Sequence, residues 1–464
     1  MPIDRVVPLV DEGLGNCAYL VDLGDGRALA IDPSRDLRAL RAAATARGLT
    51  VAFTAETHLH ADFLSGSVQL AAAGAAVLAS ASGAREFPHR GLGDQDEVDL
   101  GGLTLRAMTT PGHTPEHVSY LLLDGASQLG VFTGGSLLVG AAARTDLAGP
   151  ERTEELARAQ YRSLVRLARL PDTTPVYPTH GAGSFCSAPP GAGRTSSIGA
   201  ERATNPYLSA PDEDTFVALL VASLGSYPPY FARLGETNRR GPGLLPDVQT
   251  LVWLSPRAVQ SLRASGAVVV DVRPYDAYAH AHIPGSLSIP LRPVFATWLG
   301  WLVPSSATPL VIVRDGDQDP DEVVWQAVKI GYERLAGALH DGLRSWTDAG
   351  FAVAGTRLST AAETDPATVI DVRQADEYAS GHLPGAANIE LGDLAAAATE
   401  LAGRAVVVMC GHGERAATAA SLLERAGVSN AAIAVGGPQD WAEAAHGRAL
   451  QAGRAQVGPA RMDP

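Results

Sequence analysis

The apolar positions of the chain fall into short runs separated by polar turns and by stretches with helical spacing. In the N-terminal half, Val51–Glu56, Leu103–Met108, Gly130–Thr133 and the run at Val176 read as strands, each bounded by turn residues. Phe63–Ala84 carries no charge, but it is mostly Ala, Gly and Ser and follows a polar, His-rich stretch. A packed helix followed by a strand is expected there rather than a membrane span. In the C-terminal half the runs Leu310–Val313 and Ala405–Met409 read as strands, and Ala416–Ala426 as a helix. Strands alternating with helical patterns predict parallel sheets flanked by helices.

That half is also a repeat. Val-Val-Asp271-Val-Arg273-Pro-Tyr-Asp-Ala-Tyr278 runs on to His282-Ile-Pro284-Gly285, and one hundred residues later Val-Ile-Asp371-Val-Arg373-Gln-Ala-Asp-Glu-Tyr378 runs on to His382-Leu-Pro384-Gly385. Each copy closes on a Gly and a Trp, Gly342/Trp346 and Gly437/Trp441. The boundaries expected are 1–245 for a first domain, 254–350 for the first copy and 358–464 for the second. A Pro/Gly/Arg-rich stretch, Asn238–Pro246, acts as the joint. The total of 464 residues fits three domains at ~100–200 residues each.

Composition narrows the function. Lys plus Arg number 36 against 50 for Asp plus Glu, a net charge of −14. No general attraction to nucleic acid or to an anionic membrane follows from that, and an anionic ligand needs a local cationic pocket. Three cysteines, Cys17, Cys186 and Cys410, are too scattered for a disulfide framework. They suit a reducing cytoplasm, and the N-terminus has no apolar h-region of a secretory signal.

The two copies resemble rhodanese domains over nearly their whole length. The family holds its nucleophile in the loop after the second strand. In the second copy this loop reads Cys410-Gly411-His412-Gly413-Glu414-Arg415. Independently of the family, a cysteine between a strand end and a helix N-terminus faces free backbone N–H groups and the positive end of the helix dipole. Both favour thiolate, and the same N–H cradle can hold a Cys-S-S⁻ persulfide. Arg415 adds fixed positive charge, and the spacing of five suits sulfur transfer. The alternative for Cys410, a small buried hydrophobe, fits the surrounding Gly-His-Gly poorly. In the first copy Asp315 takes the nucleophile position. A carboxylate cannot carry sulfane sulfur, so this copy reads as inactive.

The N-terminal half carries Thr57-His58-Leu59-His60-Ala61-Asp62, then Thr110-Pro111-Gly112-His113-Thr114, Gly134-Gly135-Ser136-Leu137 and Val176-Tyr-Pro-Thr-His180. Histidines just past successive strand ends converge at one sheet edge, and imidazoles held so are the commonest ligands of zinc or iron. His89, His280, His340 and His446 read as hydrogen-bonded structure, and His117 as packing within its own loop. The pattern resembles the metallo-β-lactamase fold, and within it the persulfide dioxygenases fused to two rhodanese domains. That resemblance implies an αββα sandwich ahead of two α/β domains with parallel sheets. It also implies one Fe(II), or zinc, held by His58, His113 and an aspartate, with His60, Asp62 and His180 behind them or serving as replacement ligands. The chain departs from the family at Gly135, which stands where the aspartate belongs. Arg144 and Asp146 resemble a substrate-side element, and Cys186 is placed either near the pocket as a sulfur relay or in the core.

The function expected is oxidation of a low-molecular-weight thiol persulfide to sulfite and thiol at the metal, with sulfane-sulfur transfer at Cys410 to sulfite, giving thiosulfate, or to another acceptor. A cytoplasmic homo-oligomer with no nucleic-acid or membrane partner is the expected setting. Two alternatives compete. Either Gly135 has left a sulfurtransferase only, or the first domain is a zinc thioester hydrolase. The second is disfavoured because Phe63 stands where two-metal hydrolases place a histidine.

Overall fold

The structure is a computed structural model that describes residues 5–186, 193–246 and 250–444; His446 and the expected end of the third domain lie outside them. It forms two compact units, one of Met1–Gln249 with Arg292–Pro304 and Asp321–Glu333, the other of Thr250–Leu291, Ser305–Pro320 and Arg334–Pro464.

In the first unit two six-stranded sheets face each other. One runs in the order Val6–Asp11, Asn16–Asp22, Arg27–Ile31, Thr50–Glu56, Ala76–Ser80, Arg90–Leu92. The other runs Ser196–Ser197, Pro175–Pro178, Ser127–Gly134, Val118–Asp124, Thr104–Thr109, Glu97–Asp99. Alternation within single strands decides which layer each side chain joins. Tyr19 and Val21 point into the core between the sheets with Leu105, Tyr120 and Phe132, while Leu20 joins an outer layer with Leu37, Leu40 and Leu70. The helices Thr153–Leu167 and Glu213–Ala222 cover the opposite face through Leu164, Leu167, Phe216 and Leu220. Because both faces of each sheet are covered, central strands are apolar almost throughout. The result is the αββα sandwich.

The uncharged stretch after the His-rich loop becomes the helix Ser67–Ala72 and the strand Ala76–Ser80, as expected. Among the described residues no helix is long and apolar enough to cross a membrane.

The second unit holds two parallel five-stranded sheets of one topology. The first is ordered Trp253–Leu254, Leu335–Leu339, Leu310–Val313, Val268–Asp271, Leu287–Ser288; the second Arg357–Ser359, Ala431–Ala434, Val406–Met409, Val369–Asp371, Ala387–Asn388. The repeated motifs do repeated work. Arg273 grips Asp271 and Arg373 grips Asp371 through two-pronged ion pairs, each Arg also donating to the turn that follows, at Ala281 and Gly381. The His-x-Pro-Gly turn of the first copy docks on the helix Glu414–Arg425 of the second: His282 Nε2 lies 2.7 Å from Glu424, and Gly285 N–H donates to the same carboxylate at 3.0 Å.

Candidate functional site

Strand ends of both sheets in the first unit deliver histidines to one buried point. His58 follows Thr50–Glu56, His113 follows Thr104–Thr109 and His180 follows Pro175–Pro178. All three are at most 1% exposed. One nitrogen from each lies within 4.8 Å of the others, a group able to hold a metal ion, and His58 Nε2 is 3.3 Å from His180 Nε2. Burial, helped by neighbouring imidazoles, keeps His58 well below the ordinary imidazole range and brings His113 down to about 3. Low values favour the neutral ring, the state in which imidazole binds metal, whereas at His180 burial is outweighed by Cys186 and Asp62, which hold it well above the ordinary imidazole range.

Each ring is oriented from behind. His58 Nδ1 meets Thr57 Oγ1 at 2.8 Å, and that hydroxyl donates to Asp32 at 2.6 Å. Asp32 also accepts from Thr57 N–H and from Thr179 Oγ1. His113 Nδ1 donates to the Arg144 carbonyl at 2.7 Å, and His180 Nδ1 lies 3.0 Å from Asn16 Oδ1. Asn16 in turn donates to Asp62 at 2.8 Å, and Asp62, which burial alone would raise, is held down to about 2 chiefly by His180. His117, read as a packing residue, accepts the Gly135 N–H at 3.0 Å on Nε2.

Other expected site residues land differently. His60 turns away from the convergence point, its Nε2 lying 3.2 Å from Asp32 and 3.5 Å from Glu56. The Phe63 ring stacks on it at 4.2 Å, so an apolar face fills the space beside it. Asp62 orients His180. Arg144 and Asp146, expected on the substrate side, hold each other in a two-pronged pair at 2.7 Å; the guanidinium also donates to Phe185 O and Gly225 O and lies 4.3 Å from the Tyr227 ring. Arg144 is 1% exposed, and its contribution is the carbonyl that aims His113. Cys186 is buried beside His180 and Asp62, their ligand atoms within 4.8 Å of one another. The positioning residues Asn16, Thr57 and Asp32 went unread as such. Only the fold brings the Asp32 carboxylate to Thr57 and Thr179. Asn238, from the joint, pins the same loop by donating to His60 O and Phe63 O.

In the second unit, Cys410 ends the strand Val406–Met409 and Gly413 precedes the helix Glu414–Arg425. The thiol is at the floor of the loop, 1% exposed, and accepts the Gly413 N–H at 3.1 Å. Gly413 has φ +107, and a Cβ there would lie 2.7 Å from Cζ of Tyr275, which leans on the loop from the first copy. Arg415 is not a free charge: it makes a two-pronged pair with Glu377 at 2.6 and 2.8 Å, a partner missed in the sequence. The cradle's pull on an anion therefore rests on loop amides and the helix end. Gly411, His412 and Glu414 complete the loop. In the first copy the corresponding loop is closed from within. Asp315 N–H donates to Gln318 Oε1 at 2.9 Å, and Gln318 Nε2 donates to Val272 O at 2.6 Å.

The Rhodanese-like domain family matches residues 255–349 and 356–444. A metallo-β-lactamase from Staphylococcus aureus superimposes with a TM-score of 0.63 at 29% identity, covering 72% of this chain and 98% of that one. The molecule is thus a metallo-β-lactamase-fold protein joined to two rhodanese-like domains. Bovine mitochondrial persulfide dioxygenase ETHE1 is 30% identical over 211 residues, 43% of this chain and 74% of that protein. A hydroxyacylglutathione hydrolase from Acidiphilium cryptum is 37% identical over 131 residues, 28% of this chain and only about half (51%) of the hydrolase. The chain belongs to the persulfide dioxygenase family, which places it in sulfur metabolism among enzymes.

Proposed function

We propose that the chain combines oxidation of a low-molecular-weight thiol persulfide in its first domain with sulfane-sulfur transfer at Cys410. The carrying observation is three buried imidazoles converging at the strand ends of a persulfide dioxygenase-family domain. The two-imidazole, one-carboxylate set does not fit, because Gly135 supplies no ligand atom. The imidazoles of His58 and His113, with His180 beside them, do suit a single divalent ion such as Fe(II). When bound, such an ion supplies one-electron chemistry toward dioxygen. The overall reaction balances as RSS⁻ + O2 + H2O → RSH + SO3²⁻ + H⁺. Buried rings and the Phe63 face exclude bulk water from it.

In the second unit a sulfane sulfur on Cys410 sits under the loop amides. Sulfite attacks the outer sulfur of Cys410-S-S⁻, the S–S bond breaks, and thiosulfate leaves with the electron balance intact as the Cys410 thiolate is restored. Asp315 and the plug at Gln318 leave the first copy without this step. A cytoplasmic setting and a homo-oligomer remain part of this reading.

Oxygen uptake with glutathione persulfide tests the assignment, run beside thiosulfate detection. Cys410→Ser should keep oxygen uptake and accumulate sulfite in place of thiosulfate. Loss of every activity in that variant would favour the second reading, specifically motivated by Gly135, in which the chain is a sulfurtransferase alone.

A further inference from the structure

The geometry points to a metal site of three imidazoles, His58, His113 and His180, in place of the family's two imidazoles and a carboxylate. This deepens the reading above and rests on it, since a metal in the first domain is presupposed.

The hydrogen bonds behind each ring settle which nitrogen faces inward. Thr57 Oγ1 spends its hydrogen on Asp32, so it accepts from His58 Nδ1. The Arg144 carbonyl can only accept, so His113 Nδ1 carries the proton. Asn16 uses its amide N–H on Asp62, which turns its oxygen to His180 Nδ1. The Nε2 atoms of His58 and His113 then present lone pairs to one point, and His180 Nε2 faces the same point. His58 Nε2 and His180 Nε2 stand only 3.3 Å apart in a dry interior. That approach is met by a proton on His180 Nε2, the place a metal ion takes when it displaces that proton. Two nitrogens each ~2.0–2.1 Å from one metal lie about 3 Å apart, which is the spacing found.

Position 135 explains why the third ligand changed. A Cβ there would lie 2.2 Å from His113 Cδ2 and 2.9 Å from its Nε2. The ring occupies the room an aspartate would need. It is held there from its own backbone, because His113 N–H donates to Gln160 Oε1 at 3.0 Å while Gln160 Nε2 donates to Ser136 O at 2.6 Å. Other donors nearby are engaged only in part: Asp32 accepts from Thr57 and Thr179, His60 Nε2 lies close to Asp32 and Glu56 without a hydrogen bond, and Asp62 meets Asn16 and His180 on Oδ2 while its buried Oδ1 has no partner among the described residues. Three neutral ligands leave a divalent ion its full double charge, which draws an anionic persulfide more strongly than a site with a carboxylate would.

The test is metal content of the full chain after anaerobic loading with Fe(II) and dialysis, with the visible spectrum of the Co(II)-loaded protein as a second readout. Wild type should hold one ion per chain. His180→Gly should lose it by at least tenfold in affinity, shift the Co(II) spectrum, and recover metal when free imidazole is added. Gly135→Asp should hold metal no better than wild type, because its Cβ displaces His113. Wild-type retention in His180→Gly, or tighter binding in Gly135→Asp, would overturn the three-imidazole set, as would wild type that takes up no metal. The two readings fail separately. Metal held by all three rings without oxygen uptake on glutathione persulfide sinks the reaction and keeps the site. Equal metal and uptake in wild type and His180→Gly keeps the reaction and sinks the site.

Discussion

Asp32 is the hinge of the histidine cluster although it points at no substrate. Its backbone is left-handed, φ 48, which costs a non-glycine residue energy that only the surrounding bonds recover. Its carboxylate receives Thr57 N–H, Thr57 Oγ1 and Thr179 Oγ1, tying the ends of three strands together. Thr57→Val keeps shape and removes both the donor to Asp32 and the acceptor of His58 Nδ1. Urea unfolding should show a loss of ~1–3 kcal/mol, the cost of a buried partner left unsatisfied. Metal affinity should fall roughly 10–100-fold, the usual effect of losing a group that orients a ligand. At this scale the sequence was legible where residue type is decisive: His58, His113, Gly135 and Cys410 could be read from their motifs. His180 is legible as a member of the converging set, but its 3.3 Å approach to His58 is not. Its orientation depends on Asn16 and Asp62, and no local pattern joins positions so far apart. Arg144 orients His113 through its backbone carbonyl, a role that no side-chain motif can announce.

The helix Glu414–Arg425 links two tasks along one axis. Its first turn forms the wall of the Cys410 cradle, while Ser421, Glu424 and Arg425 bind the first copy through Ser288 N, His282, Gly285 N and Gly285 O. Burial would raise the Glu424 carboxyl, but His282 and the Gly285 N–H outweigh it and hold it below the ordinary carboxylate range. A depressed carboxyl stabilises above its unfolded value of ~4.3 and loses that contribution as pH falls through the folded value. Acid unfolding followed by circular dichroism should therefore be less steep for Glu424→Gln, which starts from lower stability near neutrality. The loop itself tolerates little. Gly413→Ala adds a Cβ 2.7 Å from Tyr275 Cζ at a φ of +107, and thiosulfate:cyanide sulfurtransferase assays should show a drop of about tenfold or more, as expected when a strained backbone position moves a reacting atom. Strands and their parallel order were legible from the repeated motifs, because buried parallel strands need unbroken apolar runs. The docking of one copy on the other was not, since no local pattern joins Ser421 and Glu424 to the turn at His282–Gly285.

At the scale of the whole molecule, sequence copies and compact units do not coincide. Arg292–Pro304 and Asp321–Glu333 fall in the first unit, where Thr297 Oγ1 donates to Gly13 O at 3.3 Å and Lys329 Nζ pairs with Asp11 at 2.7 Å. The helix Phe295–Leu302 is buried at seven of its eight positions, a sign in the sequence that it needs cover on all sides. A repeat records how a chain was assembled, whereas contacts record what buries what. Despite two copies of the sulfur-carrying fold, the chain should bear a single thiol that carries sulfane sulfur. Cyanolysis after loading with thiosulfate should release one equivalent per chain from wild type and none from Cys410→Ser.

The side chain of Gln318, folded back between Asp315 N and Val272 O, closes the loop of the first copy a second time. Installing a thiol by Asp315→Cys alone would leave it gagged by a neighbour's amide, so a working cradle there requires clearing position 318 as well.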